Sequence, residues 1–319
     1  MNRARLSGIA AITVTSVLWG TTGTAATFAP DAGPLAIGAA ALGIGGLLQA
    51  AIALPALRAA GPALRHHAGL VVIGAVAVAV YPLAFYSSMH LAGVSIGSVV
   101  SLASAPLASG ALERVLDGRA LSRWWMTAAA LGVLGSAILC LSKISGPAGS
   151  GASTVFGVLL GLLAGLAYAN YSWVVHRLMS RNVGRAASMG AVFGAGGALL
   201  MPVLALTGAQ LVASAQSFLV AGYMALVPMF LGYLLFGFGL ARVPSSTATT
   251  VTLTEPAVAT ILAVLIVGEQ LTALGWTGLG IIAAVLVILA LAPTNATDDP
   301  TVESSPAAPP AQTPISANP

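Results

Sequence analysis

The sequence predicts an all-α polytopic membrane protein, with ten transmembrane helices arranged as two inverted five-helix repeats. Three observations carry that prediction. Of the 319 residues, 58% are hydrophobic and only 6% are charged, against roughly 25% charged in a soluble domain. Such a chain cannot clothe a surface in contact with water. Its apolar residues form ten continuous runs of membrane-crossing length instead of alternating, which favours helices over strands. When those runs are threaded up and down, eleven of the twelve Lys and Arg side chains fall on one side, the asymmetry that sets membrane orientation.

In order, the runs are Leu6–Ala29, Pro34–Leu57, Ala68–Met89, Val94–Leu112 and Trp124–Leu141, then Val155–Val175, Ala186–Leu206, Phe218–Leu240, Val243–Val267 and Leu271–Leu291. Each holds roughly 18–25 residues, enough to cross the hydrocarbon core. The first exceeds the roughly 7–15 residues of a signal-peptide core, so it reads as an uncleaved helix. An even count brings both ends to one side. That side receives Arg3, Arg5, Arg58, Arg65, Arg114, Arg119, Arg123, Arg177, Arg181, Arg185 and Arg242, and the other only Lys143. Both termini are therefore expected in the cytoplasm.

Other features exclude function classes. The single cysteine, Cys140, rules out an intramolecular disulfide and any cysteine-based zinc site, and reads as a small packed residue. His66 and His67 are adjacent, hence about 100° apart on a helix, a poor start for a metal site. No metal, cofactor or nucleic-acid partner is expected; the partners are the lipid bilayer and a small solute. No GxxxxGK[ST] loop is present. The four histidines sit at helix ends, and no nucleophile–base pair lies at membrane depth, so an enzyme is not expected. The stretch 293–319, rich in Pro, Ala, Ser and Thr with Asp298, Asp299 and Glu303, reads as a disordered cytoplasmic tail.

The ninth run is unusual. Glu255 stands in its middle, followed at once by Pro256, and an ionisable residue at that depth is by default a functional-site hypothesis. A structural hydrogen bond to a neighbouring helix is the competing reading. Comparing Leu91–Leu121 with Leu240–Leu271 reveals a repeat. Leu91-Ala92 matches Leu240-Ala241, and Val94 matches Val243. After one inserted residue, Pro106 matches Pro256, Gly118 matches Gly268 and Leu121 matches Leu271. Each segment is the fourth of five runs, so residues 1–142 and 153–292 are expected to form halves of opposite direction with a site between them near the midplane. Pro106 and Pro256 are the expected hinges, by loss of a backbone donor. A fixed kink is the alternative.

Candidate lining residues follow from helical spacing. Thr247, Thr250 and Thr254 lie within about 60° of one another, leading to Glu255. Tyr168, Tyr171 and Ser172 share a face of the sixth run; Tyr81, Phe85 and Ser88 share one on the third. Ser95, Ser98, Ser101 and Ser104 wind around the fourth, so they cannot all face one cavity; Ser98 is taken as its candidate. Threonines bonded back to their own helix and aromatic residues used for packing are equally compatible with these patterns. Gly157, Gly161 and Gly165 form a ridge suited to close helix contact. His176 reads as a boundary residue, with a proton relay left open.

Several of these segments resemble the EamA-type, ten-helix members of the drug/metabolite transporter superfamily. The residues concerned are Leu18-Trp19-Gly20-Thr21-Thr22, the stretch from Tyr86 to Pro106, and Leu240–Leu271 with Glu255-Pro256 and Gly268-Glu269. The resemblance covers nearly everything up to about Pro293. It implies a carrier of the bacterial inner membrane that moves small organic solutes, often outward, by alternating access. It also implies a cavity lined by the first, third, fourth, sixth, eighth and ninth helices, and it adds Trp19 and Tyr86 to the candidate lining. One departure is Asp117-Gly118-Arg119, where such proteins commonly have a Gly-Glu pair; a changed cap or ion pair is expected there. Taken together, these readings predict a secondary transporter exporting an amino acid-like or amphipathic metabolite, with Glu255 as a candidate for proton coupling. A passive channel or a non-transporting scaffold is the alternative.

Overall fold

In lipid, a long apolar segment can satisfy its backbone only internally. The computed structural model accordingly contains helices and no strand among the residues it describes, which are 3–26, 28–141, 151–262, 264–265 and 272–291. The predicted tail, Lys143 and the Gly268-Glu269 pair lie outside the described residues. Helices α1 (Arg3–Ala26), α2 (Pro34–Ile52), α3 (Ala68–Ala92), α4 (Val94–Leu116) and α5 (Arg123–Leu141) come first. They are followed by α6 (Gly151–Ser180), α7 (Arg185–Thr207) and α8 (Ala215–Leu240). Next comes the segmented α9, which runs as Ser245–Val251, a 3-10 turn Thr252–Thr254 and Glu255–Leu262; α10 (Ala273–Leu291) closes the series. Eight of the described helices are long and apolar enough to cross a membrane.

Two sequence expectations need correction. The second run does not continue to Leu57 as one helix: it breaks at Ala53 and gives way to the short helices Leu54–Ala59 and Gly61–His66, each with Pro in its first turn. The paired prolines are also not equivalent. Pro106 lies inside an α4 that runs unbroken from Val94 to Leu116, whereas Pro256 follows the 3-10 turn that interrupts α9. One lost hydrogen bond can be absorbed within a packed helix, so proline alone does not produce the break. Two further irregularities were absent from the sequence reading. Residues Ala39–Ile44 of α2 and Ala225–Leu231 of α8, the latter containing Pro228, are wound as π-helix and pack against each other.

The packing has a regular plan. Helix α1 lies along α8, and α3 along α6; α2 meets α7, α4 meets α9, and α5 meets α10. Glycines bring these pairs close. A Cβ at Gly157 would lie 2.6 Å from the Ala92 Cβ, and one at Gly161 would lie 2.9 Å from Ser88 Oγ. Ser88 Oγ donates to the Gly157 carbonyl at 2.6 Å. The glycine ridge of α6 therefore serves helix contact.

One end of the bundle gathers the charges. Asp117 ends α4 and receives both Arg177 Nη1 at 2.7 Å and Trp173 Nε1 at 2.8 Å. Gly118, at φ +67°, supplies the left-handed turn that follows. The departure noted in the sequence thus does make a cap and an ion pair. Arg181 Nη1 lies 3.3 Å from His67 Nδ1, and His176 Nδ1 lies 2.8 Å from the Leu240 carbonyl, a position at the helix boundary.

Candidate solute chamber

Aromatic residues on α1, α3, α6 and α8 converge at the middle of the molecule. Trp19 sits with its ring centroid 4.8 Å from Tyr233 and 6.0 Å from Tyr168. Tyr81 is 5.5 Å from Tyr168 and 5.7 Å from Tyr171, and Phe85 is 5.3 Å from Tyr86. Four of their polar tips are paired. Trp19 Nε1 donates to the Pro228 carbonyl at 2.9 Å, in the π-helical part of α8. Tyr171 and Tyr233 share a hydrogen bond of 2.7 Å, and Tyr168 donates to Thr252 Oγ1 at 2.9 Å. Buried Tyr and Trp require such partners.

Within this cluster lies a chamber of about 20 Å³, lined by Trp19 and Thr22 of α1, Gly38, Ala41 and Leu42 of α2, and Tyr81, Pro82, Phe85 and Tyr86 of α3. Met229 and Tyr233 of α8 and Glu255 of α9 complete it. A space of that size holds about one water. Glu255 is only 9% exposed, and among the described residues its Oε2 has no protein hydrogen-bond partner. Burying a carboxylate oxygen without a donor is costly. The structural alternative for Glu255, a hydrogen bond holding two helices together, leaves this oxygen unexplained.

Four of the ten candidate lining residues meet at this chamber: Trp19, Tyr81, Tyr86 and Glu255. Tyr168 and Tyr171 form its aromatic wall one layer out. The remaining four are elsewhere. Ser98 donates to Met89 Sδ at 3.1 Å, between α3 and α4. Thr250 and Thr254 donate back to the carbonyls of Ser246 and Val251, at 2.7 and 2.8 Å. Thr247 is buried but does not line the chamber. The 3-10 turn explains the misplacement, because counting at 100° per residue loses phase across it. For the same reason Thr252, which sequence spacing did not select, is the threonine that meets Tyr168. The lining helices also differ from those the family resemblance implied: α2 contributes, α4 does not, and α6 stands one layer out.

The structure also buries a second acid, one the sequence pattern does not single out. Glu113, near the arginine-rich end of α4, is 3% exposed. Its Oε1 accepts from Ser245 Oγ at 2.8 Å and Ser246 N at 2.9 Å, and its Oε2 accepts from Ser246 Oγ at 2.7 Å. A carboxylate on α4 thus caps the first turn of α9, where free backbone N–H groups favour negative charge. Its neighbours in sequence, Arg114 and Asp117, suggest a solvated helix end; only the tertiary contact with α9 buries it.

Near the opposite end of α1, Thr21 Oγ1 and Tyr223 OH are 2.7 Å apart. They border a broader, mostly apolar crevice between α1 and α8, flanked by Phe28, Leu219 and Leu262.

Comparison with known proteins agrees with this architecture. The sequence model of the EamA-like transporter family matches residues 155–291. The chain is 32% identical over 285 residues to the uncharacterized transporter YwfM of Bacillus subtilis (strain 168), across 88% of this chain and 93% of that protein. A solved crystal structure shares the fold with a TM-score of 0.71 at 20% identity, over 88% of this chain and 95% of the other. With an all-helical, multi-pass fold and a relative matched along nearly its whole length, the chain belongs to the EamA-like transporters of the drug/metabolite transporter superfamily, and is a membrane transporter, not an enzyme.

Proposed function

We propose that this transporter is a secondary carrier that exports a small organic metabolite by alternating access, with the solute bound at the chamber around Glu255. The observation that carries the reading is the position of that chamber. Helices from both ends of the chain line it, and Oε2 of its one carboxylate, Glu255, lacks a protein partner among the described residues. A site between two halves is where a rocking motion can expose a solute first to one face and then to the other.

The packing plan supports a duplicated, inverted architecture. Raising or lowering every helix number by five converts the α1–α8 contact into α6–α3. The α2–α7, α4–α9 and α5–α10 contacts map onto themselves. The family's sequence model spans 155–291, which is one five-helix half. Two such halves of odd helix count enter the membrane from opposite sides. The clustering of Asp117, Arg177, Arg181 and His67 at one end supports a single arginine-rich face. By the positive-inside rule that face is cytoplasmic, in a bacterial inner membrane, with both termini on it.

The test is an untargeted comparison of excreted and retained metabolites in cells with and without the protein, followed by counterflow of any differing compound in proteoliposomes. Saturable counterflow is expected for a carrier. Non-saturable flux points to a channel, and no difference across many growth conditions removes the exporter reading.

A further inference from the structure

Resting on the carrier reading above, we infer that the solute is an organic cation, an ammonium-bearing compound held by Glu255 and the surrounding aromatic faces. The chamber's chemistry has one sign. Its lining includes a carboxylate and the rings of Trp19, Tyr81, Phe85, Tyr86 and Tyr233, but no Arg, Lys or His. An aromatic face carries negative quadrupole potential and attracts a cation placed over it. Five rings and a carboxylate around one small space reinforce each other.

Three of the polar groups around the chamber are already engaged with protein acceptors or with each other. Trp19 gives its Nε1–H to the Pro228 carbonyl, Thr22 gives its hydroxyl to the Trp19 carbonyl at 2.7 Å, and Tyr233 shares its hydroxyl with Tyr171. A carboxylate on the solute finds repulsion from Glu255 and no counter-charge. The sign of the lining charge disfavours anions, and zwitterionic amino acids relative to simple amines, narrowing the amino acid-like class expected from sequence. Glu255 Oε2, buried and without a protein donor, is complemented by an ammonium N–H or by the methyl face of a quaternary ammonium. In this conformation the chamber has room for about one water. The solute is therefore admitted only when the ring cage separates, which keeps the carboxylate shielded between transport events.

Three compounds with one ring and different charge test the assignment: phenethyltrimethylammonium, phenylalanine and 3-phenylpropanoate. Each is added to the purified full-length protein while its melting temperature is followed, and each is tried in counterflow with proteoliposomes. The ammonium compound is expected to raise the melting temperature in a saturable way and to exchange across the membrane, and the other two are not. Glu255→Gln is expected to weaken the ammonium effect by about tenfold or more, as loss of a charge-assisted contact does. Glu255→Asp, which keeps the charge, is expected to retain part of it. The comparison among the three compounds uses the unaltered protein, so misfolding of a variant does not void the test. Stabilisation or exchange by phenylalanine or 3-phenylpropanoate equal to that by the ammonium overturns the charge class while leaving a carrier in place. No effect of the ammonium at millimolar concentration, or an undiminished effect in a folded Glu255→Gln protein, overturns it as well. Failure of the carrier reading shows separately, as an unchanged metabolite profile.

Discussion

Trp19 links the site to the irregular part of the fold. Its Nε1–H ends on the Pro228 carbonyl, inside the π-helical stretch of α8, while its ring lines the chamber. Trp19→Phe keeps an aromatic face and leaves that carbonyl without its donor. The expected result is a loss of about 1 kcal/mol in stability, read as a lower unfolding temperature in detergent. Ring identity at this position was legible in the sequence from the Leu18–Thr22 segment, and Glu255 from its depth in an apolar run. For Thr250 and Thr254 the spacing left two readings open, a cavity lining or a bond to their own helix, and the structure shows the second. Glu113 was not legible: what buries it is α9, over a hundred residues away in the chain.

At the level of whole helices, α9 depends on its neighbour for its start. Pro244, at its N-cap, offers no side-chain acceptor, and the capping role passes to Glu113 from α4. Glu113→Ala removes the acceptor of three donors at once. The expected cost is about 2 kcal/mol, measured by thermal unfolding, with Glu113→Gln falling between the two because its amide oxygen still accepts. Equal stability of all three proteins would exclude the cap as a structural element. Most helices could be placed from their apolar runs within a few residues. The π-helical stretches in α2 and α8 could not, because winding five residues per hydrogen bond instead of four leaves composition unchanged. Pro106 and Pro256 look alike as letters, yet only α9 is interrupted.

Across the molecule, the proposed orientation makes a direct prediction. With Cys140 replaced by Ser, a cysteine at Asp31, between α1 and α2, is expected to react with a membrane-impermeant maleimide only from outside the cell. One at Arg58, between α2 and α3, is expected to react only from the cytoplasmic side. Reaction of both from one side removes the inverted architecture. The overall fold class was legible because lipid leaves so few alternatives to a helix. Which helices surround the chamber was less so: α2 lines it through the apolar Gly38, Ala41 and Leu42, while its one polar side chain, Gln49, is buried away from it.

The interruption in α9 has no equivalent in α4, so the two proposed halves are not perfect images of each other. For a carrier built this way, the outward-open and inward-open postures differ in free energy, and the empty protein dwells longer in one of them. Half-saturating solute concentrations then differ between the two faces. Detailed balance forbids that imbalance from driving accumulation by itself: it sets how fast each side is served, while the electrochemical gradients alone decide which way net flow runs.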